Sequence, residues 1–308
     1  MVVDSGAPYA PAAAVGPRAR LVAEVTEVVG SSREAGWIVD RAEAVATGPV
    51  DVRATALAFA GRRADGEPLQ YVLGTWAFRS LELTVDRRVL IPRPETEQVV
   101  EVALRQLDRI ATGRRAGAGT VDGPLLCIDL GTGSGAIALA LAAEWTDRDI
   151  DLVVWAVDAS AYALEVARVN RDALADTDPA AARRVTFAAG SWFDALPRTL
   201  ARRVDLVVSN PPYVAEEDFA DLDPTVRDWE PRTALVSPRG RSGVGGTADI
   251  EAVVAGAGTW LARSGGLVVE LDPSQAYGAI DAARRAGFTT VGTARDLAGR
   301  LRMLVAER

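Results

Sequence analysis

The chain has 308 residues, 49% apolar and 25% charged, enough for one large domain or a large one with a small companion, and a composition that excludes global disorder. Lys and Arg number 34 against 42 Asp and Glu, so the net charge of -8 disfavours a bulk electrostatic grip on nucleic acid, although a local basic groove is compatible with it. With no histidine and one cysteine, Cys127, His-containing triads, an intramolecular disulfide and cysteine-rich metal sites are excluded.

The first twenty residues, MVVDSGAPYAPAAAVGPRAR, lack a basic region followed by an apolar stretch, and no apolar run reaches membrane-spanning length. Residues 1–17 are expected to be a flexible N-terminus, and the protein to be cytoplasmic, with no membrane contact. From Arg18 to Gly66 the pattern is helical. Leu21, Val22, Val25, Val28 and Val29 share one face, with Gly30 as a C-cap. Ser31 and Glu34 have capping-box spacing for a helix carrying Trp37, Ile38, Ala42 and Val45. After Gly48-Pro49, Asp51 is predicted to cap a third helix through Leu57 and Phe59. Residues 18–75 thus read as a small helical domain.

Around Trp76 the period changes. Leu81, Leu83 and Val85 alternate, Asp86 to Arg88 supply a turn, and Val89-Leu90 are predicted to return as the second strand of a hairpin, giving a linker over 76–94. Thr96 is placed as the cap of a helix through Val99, Ala103 and Leu107, and Gly113 to Gly123 as a flexible loop. Beyond it, residues 95–308 alternate strand and helix. Leu125 to Leu130, Asp151 to Asp158, Arg184 to Ala189, Val204 to Ser209 and Gly266 to Leu271 read as buried strands, followed by the apolar runs FTTVGTA and LRMLVAE. The fold class is therefore α/β, a doubly wound, mostly parallel sheet of seven strands, with ligands expected at the strands' carboxyl ends.

Two loops carry the chemistry. Leu126 to Ala140, LCIDLGTGSGAIALA, is a strand, then Gly131, Gly133 and Gly135, then a helix; such glycines let the backbone approach a ligand, and the helix start offers free N–H groups. Asp158, after the next strand, is placed to accept from two ribose hydroxyls. This alone leaves S-adenosylmethionine and a nicotinamide dinucleotide open, because Gly131, Gly133 and Ala136 also satisfy the relaxed dinucleotide pattern. The second loop is Asn210-Pro211-Pro212-Tyr213, entered directly from the strand VDLVVS. Its prolines fix φ and remove backbone donors, leaving a rigid turn with an Asn amide, bare carbonyls and an aromatic face. That surface suits a planar group bearing an NH2, with the Asn210 side-chain oxygen and the Pro211 carbonyl each accepting one N–H while Tyr213 covers the plane.

The combination is similar to class I methyltransferases acting on planar amino groups, and most resembles the release-factor glutamine methyltransferase family. Gly66 to Gly74 (GEPLQYVLG), Trp76 to Glu97 with its Arg-Pro-Glu-Thr-Glu run, Ala188 to Leu196 and Trp229 to Val236 (WEPRTALV) carry the likeness, which spans Arg18 to Arg308. The chain departs from it at Glu270-Leu271-Asp272, where many members have Glu-Ile-Gly, and in the Gly-rich segment Arg239 to Thr247. The resemblance implies S-adenosyl-L-methionine as cofactor and a helical domain for substrate recognition. It also implies methyl transfer to N5 of the glutamine in the Gly-Gly-Gln motif of class I peptide-chain release factors, without metal, membrane or direct nucleic-acid contact. It places cofactor contacts at Asp129, Gly131, Thr132, Gly133, Ser134, Gly135, Asp158, Trp192 and Asn210, and the substrate amide at Asn210, Pro211, Pro212 and Tyr213. The rivals are glutamine methylation of a ribosomal protein and methylation of adenine N6 or guanine N2 in nucleic acid. Trp192 reads equally as an adenine stack or as core. Arg93, Glu95 and Glu97 read as cleft or partner-facing groups or as solvated loop charges. Trp229 and Glu230 are candidates for shaping the substrate entrance, and Cys127 is expected to be an inert buried residue.

Overall fold

The computed structural model describes residues 16–117, 123–146 and 148–308. The predicted flexible N-terminus falls mainly on residues 1–15, outside the described ones; Pro17 already opens a helix. The chain divides into two compact units, one ending at Leu73 and one spanning Gly74–Arg308.

The first unit holds α1 (Pro17–Val29), α2 (Ser32–Val45), α3 (Pro49–Ala64) and α4 (Leu69–Leu73). Gly30, at φ 75°, ends α1 in the left-handed conformation, and Ser31 Oγ caps α2 by accepting from the Glu34 N–H at 3.3 Å. Asp51 is not the cap of α3. Gly48 is, because Pro49 takes the first helical position, and Asp51 sits within the first turn, accepting from Thr47 Oγ1 at 2.7 Å. Val25, Ile38, Val39, Ala42, Ala56, Ala60 and Leu69 form the unit's own core.

The second unit opens with an antiparallel hairpin, β1 (Thr75–Phe78) and β2 (Leu81–Thr84), in which Trp76 pairs with Leu83 and Phe78 with Leu81. The strand through Leu81 and Leu83 is where the alternation put it, but its partner lies upstream. Arg79, at φ 53°, and Ser80 make a two-residue connection, whereas Val89-Leu90 runs into Pro92 and Pro94 and forms no strand. Next come α5 (Pro94–Arg115), β3 (Leu125–Leu130), α6 (Ala136–Glu144), β4 (Leu152–Asp158), α7 (Ala161–Thr177), α8 (Pro179–Arg183) and β5 (Val185–Ala189). They are followed by β6 (Val204–Ser209), α9 (Pro224–Arg227), α10 (Arg232–Leu235), α11 (Ala248–Trp260), β7 (Leu261–Glu270), α12 (Ala276–Arg285), β8 (Thr290–Arg295) and β9 (Leu301–Glu307). α5 overruns the predicted loop by three residues. Arg114 in its last turn ion-pairs with the buried Asp205, which holds the helix to its end; residues 118–122 of that loop lie outside the described ones.

The sheet order is β5-β4-β3-β6-β7-β9-β8, with β9 alone antiparallel to its neighbours. Alternate residues of β3 feed two cores. Leu125 and Cys127 pack with α5 and α6 on one face, and Ile128 and Leu130 pack with α11 and α12 on the other, which is why these strands read as unbroken apolar runs. The chain leaves β3 toward β4 and β5, then crosses back to β6. The topological switch point therefore lies between β3 and β6, and a ligand crevice is expected outside their carboxyl ends. Among the described residues no helix is long and apolar enough to cross a membrane.

Candidate active site

At that switch point Leu130 pairs with Ser209, whose hydroxyl donates to the Leu130 carbonyl at 2.7 Å, so the glycine loop and the Asn-Pro-Pro-Tyr loop leave adjacent strand ends together. Gly131, Gly133 and Gly135 have φ of 72°, 56° and 84°, the left-handed region that disfavours other residues. A Cβ on Gly131 would stand 3.6 Å from the Trp192 ring and 3.9 Å from the Asn210 carbonyl oxygen, so three segments converge on this glycine. Asp158 Oδ2 accepts from the Gly133 N–H and Oδ1 from the Ser160 N–H, both at 2.8 Å, leaving each oxygen a second lone pair. Burial raises its pKa against those two bonds. Beneath the loop, Asp129 Oδ2 accepts from Thr132 Oγ1 at 2.6 Å and the Ala138 N–H at 3.2 Å, while Oδ1 is buried with no partner; burial pushes this carboxyl up to about 7.

A cavity of about 280 Å³, open to solvent, brings together Gly131, Gly133, Asp158, Trp192, Asn210 and Pro212. Trp192 holds a strained φ of 44°, and the next residue, Phe193, stacks on Trp260 with ring centroids 6.0 Å apart. One aromatic is thereby committed to the core and the other to the cavity wall. Asp129, Thr132, Ser134, Gly135, Pro211 and Tyr213 are not on that wall. Thr132 and Ser134 are buried in the loop's underside, and Gly135 packs against Leu139 where a Cβ would lie 3.0 Å from its Cδ1. Pro211 is buried, and the half-buried Tyr213 has its phenol pushed up to about 12 by burial and the nearby Glu270. The Asn210 Nδ2 donates to Thr96 Oγ1 at 3.2 Å, and Thr96 Oγ1 donates to Glu270 Oε2 at 2.8 Å.

Residues 123–223 match the family model of the methyltransferase small domain. The release factor glutamine methyltransferase of Burkholderia pseudomallei is 40% identical over 266 residues, covering 85% of this chain and 84% of its own. Proteins of the same name from Coxiella burnetii and Bordetella pertussis are 37% and 38% identical, covering 82% and 91% of this chain and 80% and 90% of theirs. The chain belongs to the release factor glutamine methyltransferase family. It is a methyltransferase, and the resemblance read from the two loops and the Arg-Pro-Glu-Thr-Glu run holds.

That run, at the start of α5, ties distant segments of this family member together. Arg93 ion-pairs with Glu230, whose other oxygen accepts from the Ile91 N–H at 3.1 Å. Glu95 meets Arg300 at 2.7 Å, and Glu97 accepts from the Arg79 N–H of the hairpin turn at 2.9 Å. Arg87 lies 3.9 Å over the Trp229 ring. The reading of these charges as solvated loop groups is thus replaced by one of specific tethers. Thr96 is not a cap either: Arg93 occupies that position, and Thr96 is a buried side chain aimed at Glu270 and Asn210. Neither Thr96 nor Glu270 stood out as a site residue. The signal available was a polar threonine inside a helix start and a glutamate closing an apolar strand. The Gly-rich segment packs on the Asn-Pro-Pro-Tyr loop: a Cβ on Gly246 would lie 2.3 Å from the Tyr213 carbonyl oxygen, and Gln275 Nε2 bridges the Tyr213 and Gly246 carbonyls at 2.9 and 3.1 Å.

Proposed function

We propose that the protein transfers a methyl group from S-adenosyl-L-methionine to N5 of the glutamine in the Gly-Gly-Gln motif of class I peptide-chain release factors, acting in the cytoplasm. The observation that carries this reading is a single cavity shared by Asn210 and Pro212 of the substrate-type loop and by Gly131, Gly133, Asp158 and Trp192 of the nucleoside-type loop. The residues fit the cofactor. Left-handed glycines expose their backbone, Asp158 retains a free lone pair on each oxygen, Trp192 presents an aromatic wall, and the orphaned Asp129 Oδ1 lies beneath. In this reading Gly131 to Gly135 hold the methionine portion, with Asp129, Thr132 and Ser134 supporting the loop. Asp158 takes the ribose hydroxyls and Trp192 the adenine.

When bound, S-adenosyl-L-methionine supplies an electrophilic methyl on a sulfonium. An amide nitrogen is a poor nucleophile because its lone pair is delocalised into the carbonyl. Asn210 Oδ1, at the cavity wall, accepts one of its N–H groups, and Pro212 stiffens the turn. The roles read for the Pro211 carbonyl, as acceptor of the second N–H, and for the Tyr213 ring, as cover of the amide plane, require the loop to bring them to the wall when substrate binds, because neither lines the cavity here. Alignment and exclusion of water then supply most of the acceleration; the methylated nitrogen, cationic and strongly acidic, releases one of its two protons to solvent after the transfer, so no imidazole is required. The helical unit, residues 18–75, is assigned to recognition of the protein substrate.

The test is incubation with labelled S-adenosyl-L-methionine and purified class I release factors. Label on the Gly-Gly-Gln glutamine supports the reading, and label confined to RNA or to a ribosomal protein overturns it. Asn210→Ala is expected to lower kcat by about a hundredfold or more, the scale of losing one aligned polar group at a reacting centre. Cofactor affinity, measured by calorimetry, should change only a few-fold; parallel loss of both would remove Asn210 from the substrate amide.

A further inference from the structure

Three side chains from three separate elements meet behind the substrate loop: Asn210 after β6, Thr96 in the first turn of α5 and Glu270 at the end of β7. Thr96 and Glu270 are 4% and 1% exposed, so water does not compete for their hydrogen bonds. A threonine hydroxyl has one proton and two lone pairs, whereas a carboxylate only accepts. With Glu270 Oε2 at 2.8 Å, the Thr96 proton is committed to the carboxylate, and the oxygen facing Asn210 at 3.2 Å can only accept. Of the two ends of the Asn210 carboxamide, only the NH2 can satisfy an acceptor.

We propose that Thr96 and Glu270 are positioning residues for Asn210, a hydroxyl–carboxylate pair that holds the carboxamide by its NH2 end and presents Oδ1 to the cavity. This rests on the glutamine-methylating reading and deepens it by saying what makes Asn210 an acceptor. An asparagine amide is nearly symmetric in shape, so an untethered one samples both orientations. The flipped form offers a donor where the substrate amide also brings donors. The charge on Glu270 gives the relay its direction, because a charge-assisted bond of this kind is the stronger of the two. Neither Thr96 nor Glu270 touches the substrate in this account; each acts through Asn210.

The experiment compares Thr96→Val, which keeps the shape and removes the hydroxyl, with Thr96→Ser, which keeps the hydroxyl, in the full-length protein. Thr96→Val is expected to lower kcat for methylation of a purified class I release factor about tenfold to a hundredfold, while the calorimetric Kd for S-adenosyl-L-methionine stays within about twofold. Thr96→Ser is expected to restore kcat to within about threefold of the starting protein, and Thr96→Val added to Asn210→Ala is expected to cost nothing further. An activity-independent readout is the Asn210 side-chain NH2 signal in nitrogen-labelled protein. It should be exchange-protected in the parent and in Thr96→Ser, and should exchange at least about tenfold faster in Thr96→Val. Unchanged kcat and unchanged exchange in Thr96→Val overturn the relay, as does an equal loss from Thr96→Val with or without Asn210. If the parent protein methylates no glutamine, the functional reading fails on its own, and the carboxamide exchange still decides whether the tether exists.

Discussion

Glu270 is the residue whose chemistry is least ordinary. Burial pushes its pKa up to about 7 against the Thr96 hydrogen bond and the field of Arg302. Arg302 from β9, Arg93 and Glu95 from the start of α5, and Tyr213 after β6 are the charged or titratable groups that act on it or feel it. As pH falls through 7 the carboxyl gains a proton and becomes able to donate to Thr96. The threonine's own proton is then free to turn toward Asn210, and the acceptor orientation is no longer enforced. Turnover is therefore expected to fall about tenfold between pH 8 and pH 6 along a single ionisation near 7, a limb that Glu270→Gln should flatten. A flat kcat profile in the parent protein would separate Glu270 from catalysis. At this scale the sequence was partly legible. The glycines and Asp158 announce themselves because a strand, a turn and an acid recur at fixed spacing, and Asn210 because two prolines follow it. Thr96 and Glu270 are separated by 174 positions and meet only through tertiary packing, so no local pattern marks them as a pair.

The elements were more readable than their junctions. β3, β6 and β9 fall on the predicted residues because each is an apolar run closed by glycine, proline or charge. The hairpin partner was misplaced because a two-residue loop at Arg79-Ser80 carries neither Gly nor Asn, the usual signals for such a turn. The Gly-rich segment 239–247 read only as an oddity, and the structure supplies its reason. Gly246 has φ 73° and abuts the Tyr213 carbonyl, whereas Gly243, at φ 80°, has open space beside it. Gly243→Ala should cost about 1 kcal/mol of left-handed strain and leave turnover intact. Gly246→Ala must also displace the backbone that follows Asn210, so it is expected to destabilise by about 2–3 kcal/mol and to lower kcat more than tenfold. Thermal melts and steady-state rates on the two variants check this; equal rates would mean that the segment does not support the loop.

Among the described residues of the whole molecule, the two most perturbed carboxyls sit at the ends of neighbouring functions, Asp129 under the glycine loop and Glu270 behind Asn210, and burial pushes both up to about 7. A carboxyl whose pKa is higher in the folded than in the unfolded chain contributes stability that is fully present below its unfolded value, near 4, and is lost as pH rises through its folded value. Holding each as a carboxylate at pH 8 therefore costs the fold about 3–4 kcal/mol, a large fraction of what a domain usually has to spare. Asp86, Glu95 and Glu251 act in the opposite sense, because their partners lower their pKa and their contribution disappears as pH falls below about 4. The two groups together predict a stability maximum on the acid side of neutrality, near pH 4, with Tm measured without cofactor falling as pH rises from there and still by several degrees between pH 6 and pH 8. Asp129→Asn and Glu270→Gln should each flatten that fall. Net repulsion among the surplus acids runs in the same direction but cannot be abolished by two buried substitutions, so the variants separate the two causes. If turnover needs ionised Glu270, its rate must climb through the same interval in which the fold weakens, because one proton leaves one buried site in both measurements. Melting curves that ignore both substitutions would show that neither carboxyl has a raised pKa in the folded chain.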